Sequence, residues 1–215
     1  GHDYTLVEQA DIHLALLAHL GVTRVDVLAH DYGVSVAQEL LARELEGRTP
    51  RIDSVMLLNG GLFPEMHRAR PIQKLLLSPL GPLLARFTGE RSFSRSFSAI
   101  FGPQTQPSAE ELHAFWQLVT HNQGTRIFHR LIRYIPERRA QRERWVGALL
   151  RTRVPLRLVN GPEDPVSGAH LAEHYRQHVP HPDIVSLPGI GHYPQVEAPA
   201  QVLAALAEFR ARQPA

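Results

Sequence analysis

The 215-residue chain is 43% hydrophobic and carries 23 basic against 21 acidic residues, for a formal net charge of +2. That length can bury the core of one ordinary globular domain, and so even a charge balance gives no reason to bind nucleic acid or an anionic membrane; a small-molecule partner is expected. The absence of cysteine excludes disulfide scaffolds and thiolate metal sites.

Leu6, Ala10, Leu14, Leu17 and Leu20 recur at helical spacing and stop at Gly21, which predicts an opening amphipathic helix. Val25 to Ala29 is a short apolar run and reads as a strand; the pattern then returns to helical from Val34 to Leu45. Ile52 to Leu58 is a second strand, punctuated by Asn59-Gly60-Gly61. From Leu62 to Leu150 there is little strand signal, and apolar helical stretches alternate with proline and glycine breakers. Ser108 and Glu111 there form a capping-box signature for a helix carrying Phe115 and Trp116. Strand and helix then alternate again, with strands at Pro155–Asn160 and Asp183–Leu187 and helices at His170–His178 and Ala200–Arg212.

This rhythm predicts an α/β fold with a mostly parallel sheet: a first core part over 1–61, a helical cap over 62–150 and a last core part over 151–215. No internal repeat is visible. The first 30 residues lack a basic segment followed by an apolar one, and no apolar stretch approaches the roughly 20 residues of a membrane span. The chain reads as soluble, with a cytoplasmic location expected. No motif calls for a cofactor or a metal ion.

In open parallel sheets the reactive groups collect beyond the carboxyl ends of the strands. After the first strand comes Ala29-His30-Asp31-Tyr32-Gly33, which has the small-x-nucleophile-x-small form of a nucleophile elbow with aspartate at its centre. The turn from strand to helix is so sharp that the central residue is strained and its flanks must be small. The plain alternative is that Asp31 only caps the next helix. After the third strand, Gly161-Pro162-Glu163-Asp164-Pro165 holds an acid in a turn, and after the fourth, Gly191-His192-Tyr193-Pro194 holds a histidine. Each is common alone. In this order, each beyond a strand end, they supply nucleophile, orienting acid and base. Gly33-Val34-Ser35-Val36-Ala37 also resembles a serine elbow, but Ser35 falls inside the predicted helix, where its hydroxyl is expected to bond a neighbouring carbonyl.

These motifs resemble the Asp-nucleophile branch of the α/β-hydrolases, which includes haloalkane dehalogenases and epoxide hydrolases. Asn59-Gly60-Gly61-Leu62-Phe63-Pro64-Glu65, Phe101-Gly102-Pro103, Arg144-Trp145-Val146-Gly147-Ala148-Leu149 and His192-Tyr193-Pro194-Gln195 are further similar to the mesoderm-specific transcript proteins and their bacterial relatives. The resemblance implies Asp31, Asp164 and His192 as the catalytic residues, and a backbone N–H of Tyr32 as one oxyanion donor. It also implies that about 80 residues, carrying the first strands and the loop with the other donor, precede this chain.

Two departures bear on substrate. Haloalkane dehalogenases carry tryptophan after the nucleophile as a halide-binding donor, where this chain has the phenol of Tyr32. Epoxide hydrolases use two cap tyrosines, and Tyr134 is the only tyrosine between Leu62 and Leu150. Asn59 should face the same cavity, either touching substrate or serving as a turn residue. Phe63, Phe115, Trp116 and Tyr134 could wall it, or be ordinary core. The arginines from Arg126 to Arg144 read as a solvated helix face. The expected activity is hydrolysis of a small apolar epoxide or haloalkane through an alkyl-enzyme ester. The alternatives are an ester hydrolase or a hydrolase-fold binding protein.

Overall fold

A computed structural model describes residues 2–213. Four parallel strands form one sheet in the order β1 (Arg24–Ala29), β2 (Arg51–Leu57), β3 (Leu156–Asn160) and β4 (Ile184–Ser186). The predicted strands are all present, with ends shifted by at most one residue because hydrogen-bond pairing, not hydropathy, decides where a strand stops.

The period of two along the strands sorts side chains into two cores. Val55, Leu57 and Leu158 point into one, with Leu40 and Leu41 of helix α2 (Tyr32–Leu45) and Leu6 of α1 (Leu6–His19). Met56, Leu58 and Val159 point into the other, against Val202, Ala205 and Phe209 of α12 (Pro199–Ala211). Helices on both faces are what bury a parallel sheet.

Between β2 and β3 the chain is helical: α3 (Pro71–Leu77), α4 (Gly81–Arg86), α5 (Glu90–Ser98), α6 (Ala109–Thr120), α7 (Phe128–Leu131), α8 (Tyr134–Ala140) and α9 (Arg142–Arg151). The Ser108–Glu111 capping box is formed at the start of α6. The last helix of this segment lies in the core layer, where Trp145 of α9 is buried and donates through Nε1 to Glu39 of α2 at 2.8 Å. Glu39 also accepts from Arg43 and Arg144, so one carboxylate pins two helices together. After β3 follow α10 (Ala169–His178) and, after β4, the short α11 (Pro194–Glu197).

Among the described strands β1 pairs with β2 alone. Beside its other edge runs a groove of about 330 Å³ lined by Leu16, Leu17, Val27 and Leu28. Only the first half of the α1 stripe is buried; Leu16 and Leu20 are exposed. No helix among the described residues is long and apolar enough to cross a membrane.

Candidate active site

β1 ends at Ala29 and α2 begins at Tyr32, so Asp31 sits in the turn between them at φ 46°, ψ −106°. A β-carbon makes positive φ costly, by about 1–3 kcal/mol, and such a conformation persists only where neighbours over-determine it. Here the Asp31 N–H donates to the Asn59 carbonyl at 2.8 Å, and the Asp31 carbonyl accepts from Arg138 Nη2 at 3.1 Å. Its carboxylate makes no helix-capping bond. The space for the turn comes from an unexpected place. A β-carbon on Gly33 would meet only ordinary contact at 3.8 Å, whereas one on Gly60 would lie 2.8 Å from the Asp31 carbonyl oxygen. The neighbour that must be small is therefore in the turn beyond the adjacent strand, β2.

The acid turn and the histidine loop meet beside it. His192 Nδ1 donates to Asp164 Oδ2 at 2.7 Å, and its Nε2 lies 3.7 Å from Asp31 Oδ1. Asp164 also accepts from the Val166 N–H at 2.8 Å, Ser167 Oγ at 2.6 Å and Asn59 Nδ2 at 3.0 Å. Burial works against its charge, but His192 and these donors hold its carboxyl below the usual carboxylate range. Burial likewise disfavours the imidazolium, yet two carboxylates outweigh it and push His192 up to about 10. Low surrounding polarity opposes the Asp31 anion as well; the bond to His192 and the nearby charge of Arg138 prevail and hold its carboxyl low.

The loop that carries His192 is fixed by a residue without any sequence signal. Glu197 accepts from the N–H groups of Gly191 and Tyr193, and from that of Gly102 beyond α5, each within 2.9 Å. His30 donates through Nε2 to the His192 carbonyl at 2.7 Å.

The other residues singled out from sequence fall in different places. Asn59 is fully buried and faces the acid turn instead of the cavity: besides Asp164, it donates to the Gly161 carbonyl at 2.9 Å and accepts the Gly161 N–H at 2.7 Å. Tyr32 turns its hydroxyl away, to the Tyr4 carbonyl at 3.3 Å. Tyr134 does face the cavity, which has a volume of about 190 Å³ and is walled by Phe93, Phe97, Ile100 and Tyr193 with Asp31 and His192 at its base. Phe63 lies elsewhere, against His174 and His178 of α10. Phe115 packs on Phe97 and Trp116 on Phe93, behind the wall.

Ser35 is buried in the first turns of α2, and its Oγ accepts from Arg138 Nε at 2.6 Å, an arginine where a carbonyl was expected. Arg138 departs from the expected solvated face. It is buried, with its guanidinium 4.4 Å from the centre of the Tyr134 ring. Nothing in the arginine-rich run marks this one as different. Among the described residues no group of three or more His, Asp or Glu side chains is placed to hold a metal ion.

The chain as a whole is similar to known proteins. The profile of the alpha/beta hydrolase family matches residues 1–206. LipZ of Mycobacterium tuberculosis is 46% identical over 199 residues, covering 92% of this chain and 69% of LipZ. The human mesoderm-specific transcript homolog protein is 43% identical over 216 residues, covering 97% of this chain and 64% of that protein. Among solved structures, a haloalkane dehalogenase DbeA variant from Bradyrhizobium elkanii superposes with a TM-score of 0.77 at 19% identity, over 98% of this chain and 74% of that one. The chain belongs to the alpha/beta hydrolase family and has its fold.

Proposed function

We propose that this protein is a hydrolase in which the Asp31 carboxylate attacks an sp3 carbon of a small apolar substrate, an epoxide or a haloalkane. The observation that carries the reading is the position of Asp31: a carboxylate held at positive φ at the end of a strand, free of capping duty and 3.7 Å from His192 Nε2. A carboxylate displaces halide or opens an epoxide to give an alkyl ester of the enzyme. Attack on a carboxylic ester would give an anhydride, a poorer intermediate. The cavity, at about 190 Å³, is smaller than the roughly 300–1,000 Å³ typical of drug-sized ligands. Its aromatic wall suits an apolar substrate. The hydrolase label on LipZ and the dehalogenase fold likeness agree with this reading.

The charges around His192 order the two steps. Between two carboxylates the imidazole holds a proton. Once Asp31 is esterified its charge is gone, one of the two groups that raise the histidine is removed, and the proton leaves. The neutral imidazole, oriented by Asp164, can then take a proton from the water that attacks the Asp31 acyl carbon. The alkoxide departs with that proton, hydrolysis leaves Asp31 as the acid, and its remaining proton passes to the imidazole to restore the carboxylate.

The test is accumulation of the ester. The His192→Phe form of the full-length protein, incubated with 1-bromohexane, should gain a hexyl group on the peptide containing Asp31, and the Asp31→Asn form should gain none. An adduct on Ser35, or no adduct from a bromide that the wild type consumes, overturns the assignment.

A further inference from the structure

Two phenols line the cavity beside Asp31, Tyr193 next to His192 and Tyr134 from α8 on the opposite, cap side, and the value of Tyr134 as a donor depends on where its hydrogen points. A hydroxyl has one hydrogen and accepts through its oxygen. If a neighbouring acceptor took that hydrogen, nothing would be left for a substrate. The side chain in contact with the phenol oxygen is Gln73 of α3, whose Nε2 lies 3.0 Å away.

The orientation of this amide is not free. Gln73 Oε1 lies 2.8 Å from the backbone N–H of Arg70, and a backbone N–H can only donate. The oxygen of the amide must therefore face Arg70, which places its NH₂ toward Tyr134. The phenol oxygen then accepts, and its own hydrogen needs another partner. His67 stands edge-on to the ring with centroids 6.4 Å apart, but neither of its ring nitrogens has a hydrogen-bond partner. The remaining direction is the cavity.

We infer that Gln73 is a positioning residue that fixes Tyr134 as a hydrogen-bond donor into the cavity, aimed at an oxygen that leaves carbon when Asp31 attacks. The inference rests on the proposed function and narrows it toward epoxides. In opening, the bond from Asp31 oxygen to carbon forms as the ring carbon–oxygen bond breaks. The electron pair goes to the ring oxygen, which takes the Tyr134 proton. The proton that His192 releases on esterification of Asp31 restores the phenol. Arg138, whose guanidinium lies 4.4 Å over the Tyr134 ring, favours the transient phenolate. A halide departs with its electron pair and needs no proton, so it gains nothing from this arrangement.

The discriminating change is Gln73→Glu. It keeps the shape and can still accept the Arg70 N–H, but its second oxygen accepts from the phenol and takes the hydrogen away from the cavity. In the His192→Phe background of the full-length protein, alkylation of Asp31 is timed by mass spectrometry with 1,2-epoxyhexane and with 1-bromohexane. The ratio of epoxide to bromide rate should fall about 100-fold for both Gln73→Glu and Tyr134→Phe, the loss of a general acid. A purely structural defect would slow both probes alike and leave the ratio unchanged, which overturns the inference.

A second measurement does not need Asp31 to react. Hexanamide offers a carbonyl oxygen and no leaving group, and its binding is followed by calorimetry. The dissociation constant should rise about tenfold in both variants, the worth of one neutral hydrogen bond. Wild-type affinity retained by Gln73→Glu, or by Tyr134→Phe, overturns the inference, as does a wild type that does not bind the amide. Failure of alkylation with normal amide behaviour would instead count against Asp31 as the nucleophile.

Discussion

The two sides of the Asp31 carboxylate are built on opposite principles. On the side of β3 and β4, Asp164, Asn59 and His192 are buried and hydrogen-bonded to one another and to the backbone of their loops. On the cap side, Tyr134 has an acceptor bond but no fixed use for its hydrogen, both nitrogens of His67 lack a partner, and burial with the Arg138 charge pushes that histidine down to about 4. Unmet polar groups are costly in a protein interior. At the carboxylate itself the contrast is between side chains already bonded to one another and a phenol whose hydrogen is still to be given, which marks where a substrate completes the site. The first side holds geometry; the second receives a ligand.

The strongest test of this contrast is to delete one polar side chain from each side. Asn59→Ala strips a donor from Asp164 and leaves the Gly161 N–H unmet. At about 1–3 kcal/mol for each group left unsatisfied, the melting temperature should fall by roughly 10 °C. Tyr134→Phe, on the open side, should stay within about 2 °C. Equal losses in thermal melts would erase the distinction.

A second, subtler effect separates the sides by pH. With His192 raised to about 10 from an ordinary 6.5, its contribution to stability is complete below about pH 6.5 and is lost as pH rises through about 10. Asp31 and Asp164 are both lowered, so their share is present above about pH 4 and is lost on acidification. Replacing Asp31 by Asn removes one of the carboxylates that raise the histidine. The alkaline loss should then begin nearer neutrality, as read from melting temperature against pH. An unchanged alkaline limb would mean that Asp164 alone sets the histidine.

The smallest expected effect lies on the seam between the two sides. A β-carbon at Gly61 would stand 2.3 Å from Arg138 Nη1, so Gly61→Ala should push the guanidinium from Asp31 and Tyr134. A side chain that can shift makes this a modest overpacking, about 1 kcal/mol or a few degrees of melting temperature. A drop as large as that of Asn59→Ala would place Arg138 with the closed side instead of the open one.

Much of this was legible in the sequence, because hydropathy periods and turn residues are local signals. The alternation of strands and helices, the helical segment after β2, and the placement of Asp31, Asp164 and His192 beyond strand ends follow from residues within a few positions of one another. Tertiary structure alone decided which side chains meet across long separations. Arg138 is one arginine in a run of seven, and only the packing of α8 over the elbow buries it against Ser35 and Tyr134. Asn59 was open between substrate contact and turn residue until Gly161, 102 positions away, came to rest against it. Gln73 and Glu197 carry no motif at all: a glutamine or glutamate is a common surface residue, and its meaning depends on donors brought to it by other segments. Composition and spacing record which groups a chain contains; direction of a hydrogen bond, burial of a charge and room for a strained turn belong to the folded arrangement.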